Sequence, residues 1–272
     1  MKQIIEKLSK LPVLPIVVQE VIRSLGDPDV DAAVLGHKIG HDPVLGARLL
    51  RVANSAFFGL SRQVATPQDA IMVMGLSQVR SLVLASGLVH ALPRHAHGLD
   101  RKQHWQRSFR VATTAQALAR RARCPAESAF TAGMLHNIGE LVLDVCLPEA
   151  YVAVRADSRA RGVPLRQAER EALGFDHTEV GAEVARYWKL PDAIEHAIRH
   201  CHEPEAAATE GVAACVAVAC LIDDHAAAGG AGIPPELPDV LRAALRLDDA
   251  AMLACIPDAA EAEAAAAMLL GD

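Results

Sequence analysis

Histidines at helical spacing are the groups of this 272-residue chain best suited to chemistry. His37 and His41 are four apart, as are His196 and His200, and two imidazoles at that spacing share a helix face from which both could reach one metal ion. Gly40 and Asp42-Pro43 put a helix boundary at His41, so the first pair is expected to be two surface or partly buried side chains. The second pair stands beside Cys201-His202, and His202, two residues past His200, should project elsewhere. His136-Asn137 sets an imidazole next to a neutral carbonyl, a weaker ligand for a hard cation than an aspartate. Asn54-Ser55-Ala56 carries a hydroxyl with no base and acid recognisably arranged around it. There Asn54 is expected to cap a helix C-terminus, Phe57-Phe58 to pack between helices and Gly59-Leu60-Ser61 to form a turn, not a phosphate loop.

The stretch from Arg94 to Arg123 has eight Lys or Arg residues and one acid, Asp100. Solvated helix faces explain it better than a nucleic-acid surface: Trp105 and Phe109 fall on an apolar stripe, and the formal charge is −6. Apolar residues make up 51% of the chain and aromatics 3%, so Leu, Val, Ile and Ala must fill the core, which favours helices over sheets. The six cysteines form no Cys-x-x-Cys pair and are read as free or buried thiols in a reducing compartment. Met1–Lys7 reads as a short amphipathic start rather than a targeting sequence, and the apolar run Val212–Ile222 is too short to span a bilayer. A cytoplasmic protein without a membrane partner is expected.

Helices must position these groups. Asp42-Pro43 and Thr66-Pro67 each place an oxygen acceptor before a proline at the first helical position, and Ser77 is expected to cap the next segment. Val17–Leu25 outline an earlier helix, stopped by Gly26-Asp27-Pro28. Residues 92–100 read as a connector. Beyond it Trp105, Phe109, Ala112, Gln116 and Ala119 mark one stripe of a helix starting near Gln103. A helix over Ala126–His136 should continue past a bend at Gly139 toward Val145. Further helices are predicted over Glu149–Arg161, from Asp176 or His177 to Trp188, from Pro191 to about His202, and over Ala206–Ala228. The tail from Asp248 has six acidic residues and no Lys or Arg, and is expected to form short, partly frayed helices. No alternating run suggests a strand, so the fold class is all-α.

Several segments together resemble the HDOD family, the HD-related output domains. They include Leu11-Pro12-Val13-Leu14-Pro15, His41-Asp42-Pro43-Val44-Leu45, Leu49–Phe58 with its Asn54-Ser55-Ala56, Ala70–Leu76, Trp105–Ser108, Ala132–Leu143, Phe175–Gly181 and Trp188-Lys189-Leu190-Pro191. The resemblance covers roughly residues 8 to 225. It implies an N-terminal helical subdomain over 1–95, an HD-like helical subdomain over 96–228, and a C-terminal helical extension over 229–272, partly mobile. It also implies a bacterial role in signal transduction through a separate partner protein.

Met134–Leu143 is similar to the metal motif of the HD phosphohydrolase superfamily, with Asn137 where that superfamily has an aspartate. By the same resemblance Arg107 stands where HD-GYP-type phosphodiesterases have a histidine, and a guanidinium has no lone pair to donate. His177 matches a surviving ligand, Cys201-His202 matches a His-His pair, and a late Asp matches Cys220, with Asp223 one turn away. A metal, if bound, would have His136, His177 and His202. The resemblance thus implies a degenerate pocket of Arg107, His136, Asn137, His177 and His202 able to hold a small anion, no cofactor, and no catalysis, because Arg107, Asn137 and Cys201 replace ligands. The alternative is a metal-dependent phosphohydrolase acting on a nucleotide or cyclic dinucleotide.

Overall fold

The computed structural model describes residues 14–25, 29–91 and 98–270, which are helical without a strand. The helices are α1 (Ile16–Arg23), α2 (Ala32–Gly40), α3 (Pro43–Ala53), α4 (Pro67–Met74), α5 (Leu76–Ala91), α6 (Arg101–Ala122), α7 (Ala126–Leu135), α8 (Ile138–Cys146), α9 (Pro148–Arg161), α10 (Leu165–Leu173), α11 (His177–Tyr187), α12 (Asp192–His200), α13 (Pro204–Ala207), α14 (Gly211–Ala227), α15 (Asp239–Leu245), α16 (Asp249–Leu253) and α17 (Ala259–Leu270). The amphipathic start at 1–7, the stop at 26–28, the first residues of the Leu11–Pro15 segment and most of the 92–100 connector lie outside the described residues. Among the described residues no helix is long and apolar enough to cross a membrane.

Helix α6 is the axis of the molecule. At 22 residues it is about 33 Å long, and Asp100 caps it by accepting from the Gln103 N–H at 3.1 Å. Its expected stripe is buried throughout, and α7, α14 and α17 pack around it. Gly133 of α7 lets the two backbones touch, for a Cβ there would lie 2.5 Å from the Ala112 Cα. Phe57 joins the N-terminal helices to this axis, its ring edge-on to Phe109 at 5.4 Å between centroids. Arg80 of α5 binds Glu127 of α7 at 3.0 Å and the Ser24 carbonyl after α1. The C-terminal helix α17 lies against α3, α5 and α6, burying Ala262, Ala265, Ala266 and Leu269.

The Asp42 and Thr66 caps form as the sequence predicts, accepting from Val44 and Leu45 and from Asp69 respectively. Several other boundaries move. Ser77 lies inside α5, whose first turn starts at Gly75, where a φ of +87° turns the chain out of α4. The break after α7 falls at His136-Asn137 instead of Gly139, and α12 stops at His200, leaving His202 in the following turn. The single helix expected over Ala206–Ala228 is two, because the Glu210 carboxylate caps α14 by accepting from Ala213 at 3.0 Å. Asn54 is the C-cap of α3 as expected, its backbone N–H donating to the Leu50 carbonyl at 3.0 Å, and its side-chain amide also exchanges two 2.9 Å hydrogen bonds with the Val64 backbone, pinning the loop that carries Phe57. Helix α10 has no counterpart in the sequence-based expectations.

Gly139 positions the site. A Cβ there would fall 1.9 Å from the His177 carbonyl oxygen, so α8 and α11 cross at a contact of bare backbone. Gly139→Ala must push the two helices apart and is expected to cost about 1–3 kcal/mol, read as a lower urea midpoint. An unchanged midpoint would contradict this packing.

Candidate functional site

Asp176 and Glu169 are the two fully buried carboxylates that set the site. Asp176 caps α11, with Oδ1 accepting from the backbone N–H groups of Thr178 at 2.9 Å and Glu179 at 3.1 Å and from the Thr178 hydroxyl at 2.7 Å. Its Oδ2 takes Arg166 at 2.8 Å and Arg170 at 3.0 Å, both from α10. Burial penalises its charge, but the hydrogen bonds from Thr178 and Arg166 prevail and hold its pKa down at about 2.

Glu169 of α10 fixes His177. Its Oε2 accepts from the His177 backbone N–H at 2.9 Å and faces Nδ1 at 2.7 Å, and its Oε1 accepts from the Tyr151 hydroxyl at 2.9 Å. Burial, with the charges of Glu140 and Glu169, pushes the Tyr151 phenol far above its ordinary range, so it remains a donor. Burial also opposes a charged His177, but the Glu169 hydrogen bond and charge outweigh it and raise the imidazole pKa. The second nitrogen, Nε2, is buried without a partner. The His202 ring packs edge-on to His177 at 5.7 Å between centroids. Burial, then the charges of His177 and Arg107, lower its pKa, so it is neutral near pH 7.

Arg107, Asn137, His177 and His202 line one cavity of about 660 Å³, together with Glu140, Leu165, Arg166, Arg170, Glu171 and Asp224. His136 is not on its wall. It is fully buried, Nδ1 lies 2.7 Å from the Gly133 carbonyl, and Nε2 has no partner. Cys201 and Cys220 are also buried, with the Cys201 thiol donating to the Ile198 carbonyl at 3.3 Å. Asp223 pairs with Arg110 at 2.7 Å and also lies 3.7 Å from Arg107 Nε. The exposed His37 and His41 rings stack at 5.6 Å. The His196 and His200 ring centroids lie 4.5 Å apart, and His200 Nδ1 lies 2.9 Å from Glu203.

The cavity does not fit a hard metal ion. Among the described residues no group of three or more His, Cys, Asp or Glu side chains is arranged to hold one. The carboxylates on the wall are each bound to a guanidinium: Glu140 to Arg155 at 2.9 Å, Glu171 to Arg161 at 2.7 Å, and Asp224 to Arg107 at 2.7 Å. The arrangement offers instead a buried Arg107 Nε, the Asn137 amide oxygen and His177 Nε2, all without hydrogen-bond partners. Sequence reasoning missed Glu169, Glu140, Arg166 and Arg170. Pro164 ahead of Leu165 and Ala168 was the available signal for α10.

Asp176→Asn keeps the capping oxygen and removes the charge. A carboxylate whose pKa is depressed on folding stabilises above its unfolded value and loses that contribution as pH falls through the folded one. The variant should therefore lose about 2–3 kcal/mol at pH 7, with the gap to the native chain closing as pH is lowered from about 4 toward the folded value of about 2. Urea titrations at neutral and acid pH check this, and a pH-independent gap would contradict it.

The HDOD domain family model matches residues 11–204. An uncharacterized protein of Treponema pallidum is 28% identical over 201 residues, which are 73% of this chain and 39% of that protein, so the chain spans well under half of this curated relative. A solved structure from Shewanella amazonensis, named as a candidate phosphohydrolase, superposes with a TM-score of 0.74 at 31% identity, covering 99% of this chain and 97% of that one. Another from Marinobacter aquaeolei, named as a candidate signal transduction protein, gives 0.80 at 26% identity, covering 97% of this chain and 60% of that one. With the family model spanning most of its length, and an all-helical fold shared with these structures, the chain belongs to the HDOD domain family.

Proposed function

We propose that this protein is a signal-transduction regulator that catalyses no hydrolysis and acts through contacts with a separate protein, biased by a small anionic ligand in the Arg107 cavity. The observation that carries this reading is the pairing of the wall carboxylates Glu140, Glu171 and Asp224 with arginines. Metal-assisted phosphoryl chemistry needs anionic oxygens free to hold a cation, which then polarises the phosphoryl group and activates water. Here a guanidinium already neutralises each carboxylate, and Arg107 can neither bind a metal nor activate water. The name of the Marinobacter structure supports the signalling role.

The unpartnered polar atoms suit an oxyanion. Arg107 Nε, 3.7 Å from Asp223 but hydrogen-bonded to nothing, is a donor, the Asn137 amide can turn its NH₂ inward, and His177 Nε2 donates when the ring is protonated. The wall balances three arginines, Arg107, Arg166 and Arg170, against the three carboxylates, which favours a ligand of low charge. Inorganic phosphate is expected to shift the His177 imidazole resonances in the native chain and to leave them unmoved in Arg107→Ala. Equal shifts in both would remove Arg107 from the anion site.

The phosphohydrolase reading has two observations in its favour, the Nε2 atoms of His136 and His177, which have no hydrogen-bond partner, and the name of the Shewanella structure. Restoring Arg107→His with Asn137→Asp releases Asp224 and supplies a nitrogen and a carboxylate. The double variant is expected to bind zinc at least about tenfold tighter than the native chain, measured by calorimetry. Unchanged affinity would show that the cavity has lost the ligand geometry altogether.

A further inference from the structure

On the reading that the protein works through a partner, we propose that the partner docks where α1 meets the end of α11, presenting an acidic segment with an apolar anchor residue. A hollow of about 260 Å³ there is lined by Leu14, Gln19, Ile22, Arg23, Tyr187, Trp188 and Lys189. It is smaller than the roughly 300–1,000 Å³ typical of small-molecule sites, which suits one or two side chains of a peptide. Its floor is apolar, with Leu14 and Ile22 buried.

The rim has the make-up of a binding hot spot. The chain has only two Trp and two Tyr, yet one of each is here, with Tyr187 49% exposed and Trp188 half-buried. Tyr, Trp and Arg are the residues that most often carry interface energy. Ile16, at 76% the most exposed large apolar side chain among the described residues, lies on the same stripe of α1 as Gln19 and Arg23.

Charge selects the occupant. Among the described residues Lys189 is in no ion pair, whereas the arginines of the Arg107 cavity are all bound to carboxylates. Lys189 adopts a left-handed φ of +57°, and its N–H closes on the Arg186 carbonyl at 3.0 Å, so the side chain springs from a fixed turn beside the hollow. A partner carboxylate would meet the uncompensated ammonium while an aromatic or aliphatic side chain fills the hollow beneath it. The chain's own charge of −6 disfavours a second copy as the occupant.

Carbodiimide cross-linking of the full chain in extract of its native cells tests this, because the reagent joins a lysine amine directly to a carboxylate. The expected product is an amide between Lys189 and an Asp or Glu of another protein, in a peptide with an aromatic or large aliphatic residue within one helical turn. Lys189→Arg should abolish that product while keeping the charge. A synthetic peptide copying the cross-linked segment should then change the fluorescence of Trp188, Trp105 being buried. Its affinity should fall about tenfold or more in Tyr187→Ser and in Lys189→Glu. Cross-links from Lys189 only to this chain or to a second copy, or affinity unchanged in both variants, would overturn the docking surface. Cross-links to another protein solely from other lysines would overturn the surface and leave the regulator reading standing. No cross-link to any other protein would contradict both.

Discussion

The Arg107–Asp224 pair is the interaction on which the character of the cavity depends. It joins α6 to α14 with a 2.7 Å contact and puts a permanent cation on the cavity wall. Both side chains are partly exposed, so the pair itself contributes little to stability. Its effect is on what the cavity can hold. A carboxylate bound to an always-protonated guanidinium is a poor ligand for a divalent ion, because the ion would have to displace a charge that cannot be titrated away. Arg155 on Glu140 and Arg161 on Glu171 repeat the arrangement on the same wall.

Behind this wall the scaffold is tied together by buried hydrogen bonds and ion pairs. Glu169, wholly buried, takes three hydrogen bonds, two of them from His177, and orients the imidazole as a carboxylate orients a metal-ligating histidine. Asp176 fixes the first turn of α11 and ties it to α10 through Arg166 and Arg170. Gly139 lets α8 come against the His177 backbone. Such ordering suits a site in which a small ligand must find its partners already in place.

The fold was legible in the sequence wherever a helix start was local chemistry. Asp42 and Thr66 cap as their side chains and neighbours predict, and the Trp105–Ala119 stripe is buried. Errors arose where distant contacts decide. The bend belongs to His136-Asn137, not to Gly139, because Gly139 serves a crossing with α11 that no local pattern records. Helix α10 was not anticipated, and its Glu169 is wholly buried because Tyr151 and His177 from two other helices satisfy it. Of the five residues singled out, Arg107, Asn137, His177 and His202 meet on one cavity wall while His136 lies off it. The Arg107–Asp224 pair was invisible because its two residues are 117 apart in the chain.

The central claim is that protein cations have taken the place of a metal ion. Elemental mass spectrometry of the full chain, purified without chelator from cells supplied with zinc, iron and manganese, tests it most directly. The account predicts a stably folded protein with metal far below one equivalent. Near-stoichiometric metal in the folded protein, lost in His177→Ala, would contradict it and restore the hydrolase reading.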